Sequence, residues 1–191
     1  MEVMDAYLAR VAEAAGGVER ATLEVFLGLL KDAYRHGHTI FVLGNGGSAA
    51  NASHFAQDLA KGTLRDLRQP RRFRALALTD NVSFITALAN DEGYEAIFEQ
   101  QLRTFAQPGD LVLAISCSGN SGNVIRAVEY ANAHGMTTIG VTAGNGGRLR
   151  HLAKHVVVVP STDVGLAEAV HSILFHMVVT SLRDWVQALG E

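Results

Sequence analysis

Five short apolar runs divide the chain, and most of them lack the alternation of polar and apolar residues that marks a half-exposed strand. Several of these runs are rich in β-branched residues. Continuous apolar runs of this length indicate strands that are buried on both faces, as in the parallel sheet of an α/β protein. We therefore predict strands at residues 39–44, 74–79, 110–116, 137–142 and 155–160.

Between these runs, apolar residues recur at the three- and four-residue spacing of helices that bury one face. Two helices, at residues 2–15 and 18–35, precede the first strand, and Gly37 is expected to end the second. Strands that alternate with helices are typical of a doubly wound α/β sandwich. We expect one domain over residues 1–191, with residues 1–37 forming helices that pack on the sheet or join subunits. The remaining predicted helices cover residues 48–61, 81–89, 94–105, 121–134, 147–154 and 165–188.

The composition bears on the cellular compartment of the protein and on the classes of partner that it binds. Hydrophobic residues make up 48% of the 191 residues and charged residues 18%, as in ordinary globular proteins. The formal net charge of −3 gives no reason to expect nucleic acid or an anionic membrane as a partner. Cys117 is the single cysteine, and no run approaches the ~18 consecutive apolar residues of a membrane span. We expect a soluble cytoplasmic protein. The basic segment 65–74 is interpreted as a solvated loop, with attraction of an anion as the alternative.

A glycine-rich turn, GNGGS at residues 44–48, follows the first predicted strand and precedes a helix that Ser48 can cap. Backbone N–H groups and the helix dipole at such a junction favour an anion. A G-x-G-x-x-A pattern starting at Gly44 also matches the loose dinucleotide fingerprint. That motif needs an acid about 20 residues later, whereas the candidate Asp80 comes about 36 residues after Gly44. A turn that binds no ligand is a further interpretation.

A second polar turn, SCSGNSGN at residues 116–123, follows the third predicted strand. Ser116, Ser118 and Ser121 offer three hydroxyls, and two glycines let the backbone approach a ligand closely. Hydroxyls, backbone N–H groups and a helix N-terminus together form a phosphate cradle that needs no lysine. The G-x-x-x-x-G-K-[ST] pattern of nucleoside triphosphate hydrolases does not occur. The later turn AGNGGR, residues 143–148, lacks the serine and is interpreted as structural.

Histidines and carboxylates recur on two of the predicted helices. His54 and Asp58 are four residues apart and share one helical face. On the last helix, positions 168 and 176 differ by about 80° around the axis, so Glu168 and His176 can face one cavity. His171 is a further candidate on that helix. Two histidines and two carboxylates can form a tetrahedral zinc site, although such residues taken alone are more often surface groups or satisfied polar contacts.

The segments GNGGSAANASHFAQDL and AISCSGNSGNVIRAV, at this separation, resemble the SIS (sugar isomerase) domain family, most of all its phosphoheptose isomerases. The resemblance extends over essentially the whole chain. It implies a three-layer αβα sandwich with a five-stranded parallel sheet, in a homotetramer whose active sites are shared between subunits. The phosphosugar-binding residues that it implies are Asn45, Gly46, Ser48, Asp91, Ser116, Cys117, Ser118, Ser121 and Glu168.

The same resemblance assigns chemistry to the two helices. Asp58 matches the family's catalytic base and His176 its acid. The family's metal positions, which imply zinc, match His54, Asp58, Glu168 and His176. Three residues depart from the family pattern, because Cys117 replaces threonine, Asp58 replaces glutamate and Glu168 replaces glutamine. The last two changes keep oxygen ligands, and the additional carboxylate favours a bound cation because nearby anions repel each other.

An aldose–ketose isomerase of phosphosugars would use both features. The phosphate cradle would anchor the substrate, while the acid–base pair would move a proton between C1 and C2. The expected reaction converts sedoheptulose 7-phosphate to D-glycero-D-manno-heptose 7-phosphate. Two alternatives stay open: a non-catalytic regulatory protein that binds the bacterial replication initiator, and an isomerase of another phosphosugar, such as a pentose phosphate or a hexosamine phosphate.

Overall fold

The computed structural model describes residues 1–189 and contains one five-stranded sheet whose strands all run parallel. The strands are β1 Thr39–Gly44, β2 Arg74–Ala77, β3 Leu111–Ile115, β4 Thr137–Ala143 and β5 His155–Val159. Their order across the sheet is β2-β1-β3-β4-β5. The predicted α/β sandwich with a five-stranded parallel sheet is therefore confirmed. β2 ends two residues earlier than predicted, and β4 continues one residue further.

The α-helices of the described chain largely follow the predicted segments. They are α1 Glu2–Gly16, α2 Arg20–His36, α3 Gly47–Gln57, α4 Val82–Asp91, α5 Ile97–Phe105, α6 Gly122–Ala133, α7 Leu149–Leu152 and α8 Val164–Ala188. Gly37 ends α2 in the left-handed conformation, with φ of 70°, as expected. The segment after α3 differs, because Asp58–Gly62 forms a π-helix instead of further α-helix. A 3₁₀ turn, Tyr94–Ala96, precedes α5.

The sheet separates two cores, and successive residues of each central strand enter opposite ones. In β1, Ile40 and Val42 pack in the core under α2, α3 and α8, whereas Phe41 and Leu43 pack under α5 and α6. Residues of β3 divide between the cores in the same alternation. Burial on both faces explains why these strands consist of uninterrupted apolar residues.

The two polar turns leave neighbouring strands at the same edge of the sheet. β1 pairs with β2 on one side and with β3 on the other, and Gly44 lies opposite Ile115 in the register. The chain leaves β1 for α3 on one face and leaves β3 for α6 on the other face. This is a topological switch point, where open α/β sheets form a crevice outside the carboxyl ends of their strands.

Helix α8 is long and apolar enough, by length and composition alone, to cross a membrane. In the structure one side of this 25-residue helix packs into the core, where Leu174, Val178 and Leu182 are buried. Core helices of globular proteins share this composition, so the packing accounts for it. The same helix contacts α1, α2 and α3.

Candidate functional site

The first turn depends on glycine at several positions. Gly46 has φ of 56°, a conformation that side-chain-bearing residues rarely adopt, and its carbonyl accepts from the N–H groups of Ala49 and Ala50. The expectation that Ser48 caps α3 is wrong, because the helix already begins at Gly47, with Gly46 at the cap position. Ser48 instead lies buried within the first turn of α3. The first N–H groups of α3 are therefore not capped by a side chain.

The second turn brings two of its three serine hydroxyls together. The Oγ atoms of Ser116 and Ser121 lie 3.2 Å apart, and Ser118 Oγ accepts a hydrogen bond of 3.2 Å from the Asn120 N–H. Ser121 occupies the cap position of α6, but its side chain makes no capping hydrogen bond there. Serine hydroxyls beside a helix N-terminus are the arrangement that binds phosphate.

The third turn, interpreted above as structural, supports the serine turn. Gly119 and Gly147 approach the opposite turn so closely that a Cβ on either would overlap backbone atoms. Leu149 N–H donates to the Gly119 carbonyl at 2.9 Å, and Asn120 links Ser118 to the Arg148 N–H. These contacts fix the conformation of the serine turn. A cavity of about 310 Å³ lies between the two turns and the chain that follows β5.

His54, Asp58 and His176 come together where the C-terminal end of α3 meets α8. A carboxylate oxygen of Asp58 lies 3.4 Å from His54 Nε2 and 3.6 Å from His176 Nε2. The two imidazole rings meet edge to face, with centroids 5.0 Å apart. Both histidines are about half exposed, whereas the side chain of Asp58 is only 19% exposed. The cluster therefore opens to solvent through its histidines and holds its carboxylate at the base.

Packing between α3 and α8 aligns this cluster. Phe55 stacks on Phe175 with ring centroids 4.4 Å apart, and each ring belongs to a residue adjacent to one of the clustered histidines. Asp58 begins the π-helix, whose wider turn changes the direction of the side chains that follow. Single π-turns within helices frequently occur at functional sites. The crossing of two helices, which sequence periodicity does not specify, thus brings His176 to Asp58.

The three clustered residues fit a metal ion. One donor atom from each lies within 4.8 Å of the donors of the other two. Two ligands bound to one zinc ion at about 2.1 Å and a tetrahedral angle are about 3.4 Å apart, which the measured distances from Asp58 match. Two imidazoles and one carboxylate, with a fourth position open, are a known zinc donor set.

Glu168 lies beside the first polar turn and not in the cluster of His54, Asp58 and His176. Its carboxylate sits against Gly47, where it leaves no room for a Cβ, and its backbone carbonyl accepts from Asn51 Nδ2 at 3.1 Å. The structure therefore does not group Glu168 with His54, Asp58 and His176. A carboxylate beside the first turn of a helix is stabilised by the positive end of the helix dipole.

Cys117, which replaces the family threonine, is the second residue of the serine turn, and its side chain reaches Ser48 in the first turn. Burial raises the pKa of the Cys117 thiol, and the charge of Glu168 raises it further, while a hydrogen bond with Ser48 opposes both effects. The thiol therefore stays protonated at neutral pH and is a poor nucleophile. The Cys117 carbonyl accepts from Ala143 N–H at 3.2 Å.

His171 is not part of the cluster. Its ring is fully buried, and Nε2 donates to the Thr142 carbonyl at 3.2 Å. Nδ1 is buried without a hydrogen-bond partner in the described part of the chain. Burial lowers the pKa of His171 to about 4, against the weaker effect of the hydrogen bond to Thr142. A neutral imidazole at this position packs α8 against β4.

Asp91 is the last residue of α4, and its exposed carboxylate accepts from the neighbouring Asn90 at 2.8 Å. Among residues 1–189, no hydrogen bond joins Asp91 to either polar turn. Tyr94, three residues later, makes that connection, because its hydroxyl donates to Asn45 Oδ1 at 2.9 Å. Asn45 and the buried Asn123 also exchange two amide hydrogen bonds of 2.8 and 2.9 Å.

Sequence reasoning missed Tyr94 and Asn123. The only signals were the glycine before Tyr94 and the position of Asn123 inside the second polar turn. Asp80, the candidate ribose ligand of the dinucleotide interpretation, instead accepts hydrogen bonds from Ser53 and Thr79.

A cavity of about 650 Å³ lies at the opposite edge of the sheet, near the starts of β1 and β2. It contains none of the predicted site residues, and Arg35, Arg71, Arg72 and Arg74 contribute to its lining. Arg72 donates to the backbone carbonyls of the same loop, so the basic segment 65–74 folds back on itself.

Comparison with known proteins agrees with these features. Residues 2–143 match the SIS domain family. The chain is 39% identical over 159 residues to the phosphoheptose isomerase of Aquifex aeolicus, covering 83% of this chain and 82% of that protein. The phosphoheptose isomerase structure from Neisseria gonorrhoeae superposes with a TM-score of 0.86 at 30% identity, over 95% of this chain and 97% of that one. The corresponding structure from Francisella tularensis gives 0.86 at 26% identity, over 96% and 95%.

The structure thus has paired serine hydroxyls at the N-terminus of α6 and, where α3 meets α8, a cluster that fits acid–base chemistry or a metal ion. In the structural comparison with the Neisseria gonorrhoeae protein, the similarity covers 95% of this chain. The chain therefore belongs to the SIS domain family and is similar to its phosphoheptose isomerases along more than four-fifths of its length.

Proposed function

We propose that the protein is an aldose–ketose isomerase that converts sedoheptulose 7-phosphate to D-glycero-D-manno-heptose 7-phosphate. The observation that carries the proposal is the meeting of His54, Asp58 and His176 at the end of α3, the helix that follows the polar turn at the switch point of the sheet. Two curated relatives of similar length and the solved structure from Neisseria gonorrhoeae are phosphoheptose isomerases, which supports the same reaction.

The serine turn would anchor the substrate through its phosphate. Ser116, Ser118 and Ser121 present hydroxyls at the N-terminus of α6, where backbone N–H groups and the helix dipole favour a dianion. The phosphate does not react, so its binding energy can position C1 and C2 at the cluster. Asn45, Gly46 and the buried Ser48 belong to the turn that would border the sugar.

Isomerisation moves one proton between neighbouring carbons and one between their oxygens. We assign Asp58 as the base that removes the proton from C1 of the ketose and returns it to C2. His176, whose Nε2 lies 3.6 Å from the Asp58 carboxylate, would pass a proton between O1 and O2. The net result exchanges carbonyl and hydroxyl between C1 and C2 without an external oxidant or reductant.

We propose zinc as the metal, held by His54, Asp58 and His176, since their donor atoms meet the spacing that a tetrahedral ion requires. When bound, it would polarise the substrate carbonyl and stabilise negative charge on its oxygen. Asp58 has a short side chain and cannot serve fully as base and ligand at once. We infer that it performs one role at any moment, with Glu168 approaching to complete the ligand set.

The assembly proposed is a homotetramer in the cytoplasm, without nucleic acid or membrane as partner. Its support is the exposed apolar side chains of α1, where Val3 is 83% and Leu8 65% exposed. Apolar surface of this kind on a terminal helix is typical of a subunit interface. Cys117 as the single cysteine agrees with a reducing compartment.

A panel of phosphosugars tests the function directly. The purified protein is incubated with sedoheptulose 7-phosphate, a pentose 5-phosphate and a hexosamine 6-phosphate, each with added zinc and with a chelator. We expect turnover of the heptose alone, reduced by the chelator. Turnover of another sugar instead would identify a different isomerase, and no turnover of any sugar would favour a regulatory binding protein.

A further inference from the structure

The chain of hydrogen bonds that ends at Tyr94 has a fixed direction. It starts at the backbone N–H of Val124, which can only donate and is bound by Asn123 Oδ1 at 2.9 Å. The amide nitrogen of Asn123 must then face Asn45, where it donates to Oδ1. An amide oxygen can only accept, so the Tyr94 hydroxyl, 2.9 Å from the same Oδ1, must donate its proton to Asn45.

Asn45 and Tyr94, at the end of this series of hydrogen bonds, can each offer a ligand only one kind of hydrogen bond. Asn45 Oδ1 already accepts two hydrogen bonds, and one N–H of its amide is engaged by Asn123. Asn45 can therefore offer only its second N–H to a ligand. The Tyr94 oxygen has committed its proton and can only accept.

The Tyr94 side chain is held in place yet remains accessible. Gly93, with φ of 89°, starts the 3₁₀ turn, and Ala96 N–H closes it on the Gly93 carbonyl at 3.1 Å. Ala96 is buried, and the Glu95 carboxylate lies against Gly122 at the start of α6. Tyr94 itself is 57% exposed. A fixed, accessible acceptor thus lies between the first polar turn and α6.

We propose that Tyr94 is a specificity-determining residue that accepts a hydrogen bond from a sugar hydroxyl and thereby orients the substrate. This inference rests on the proposed phosphosugar isomerase function. A hydroxyl can donate to Tyr94, whereas a phosphate dianion and a carbonyl oxygen cannot. The polarity excludes the phosphate end of the substrate from Tyr94 and directs it to the serine turn, which offers donors.

Tyr94→Phe tests the inference because it removes the acceptor and keeps the ring. We expect KM for sedoheptulose 7-phosphate to rise about 3- to 10-fold, the effect of one lost hydrogen bond. Competitive inhibition by inorganic phosphate should be unchanged, since phosphate binds at the serine turn. The matched control is Tyr130→Phe. Tyr130 lies in the C-terminal half of α6, where its ring stacks on His134, so the KM of this variant should equal that of the wild type.

Monodeoxy analogues of the substrate complete the test. One analogue, which lacks the hydroxyl that faces Tyr94, should bind wild type and Tyr94→Phe equally, while the others keep the difference. With an active wild type, three results would overturn the inference. They are an unchanged KM in Tyr94→Phe, equal weakening of sugar binding and phosphate inhibition, and a difference between the two proteins that persists with every analogue. If the wild type turns over no phosphosugar, the proposed function itself fails, and this inference fails with it.

Discussion

Acid should destabilise this protein through His171 more than through an exposed histidine. The ring is fully buried and its pKa is lowered to about 4 from an ordinary value of 6.5, because burial disfavours the charged form. In the unfolded chain His171 binds a proton below pH 6.5, whereas in the folded protein it stays neutral down to about pH 4. The free energy of unfolding therefore falls as pH decreases through this window.

The size of the effect follows from the two pKa values. Each unit of difference corresponds to 1.36 kcal/mol, so the full window is worth about 3 kcal/mol. Between pH 7 and pH 4.5 the expected loss from His171 alone is about 2 kcal/mol. That loss is a substantial part of the total stability of a typical domain.

The assay is urea denaturation of wild type and His171→Gln at pH 7 and pH 4.5. Glutamine can still donate to the Thr142 carbonyl but carries no titrating group, so the variant should lose about 2 kcal/mol less than the wild type on acidification. His151→Gln, at an exposed histidine of α7, is the control and should behave as the wild type does. If the free energy of unfolding of His171→Gln and of the wild type depends equally on pH, the reasoning is refuted, even if the two proteins differ in stability by a constant amount.

Three further outcomes are expected. Asp58→Asn should lower the isomerisation rate by at least 10²-fold because the variant lacks the base, while it still binds phosphosugar. In labelled solvent it should show no C1–C2 proton exchange, and exchange at the native rate would instead assign the base role to Glu168. Ser118→Ala and Ser121→Ala should weaken phosphosugar binding more than turnover, by about 1.5–3 kcal/mol each, and unchanged KM in both would remove the phosphate cradle. Light scattering at micromolar concentration should give a tetramer, and a monomer would contradict the proposed assembly.

Local sequence patterns determined the sheet and the two polar turns. β1 has the predicted bounds, because an apolar run buried on both faces and bordered by glycine leaves little choice of conformation. Alternation of strands and helices predicted the doubly wound fold, and in such a fold turns after neighbouring parallel strands meet at one edge. The four-residue spacing of His54 and Asp58 likewise placed both side chains on one helical face.

Tertiary packing decided which of the remaining candidates meet. Glu168, His171 and His176 all lie on α8, yet His176 reaches Asp58, Glu168 lies against Gly47 and His171 is buried against β4. Their separation depends on where α8 crosses α3 and the sheet, which is set by contacts between residues far apart in the chain, such as the stacked phenylalanines. Helical periodicity gives only the relative angles of side chains around α8. The link from Tyr94 to Asn45 has the same origin, since it joins segments that meet only when α6 packs on β3 and β4 and against the 3₁₀ turn that carries Tyr94.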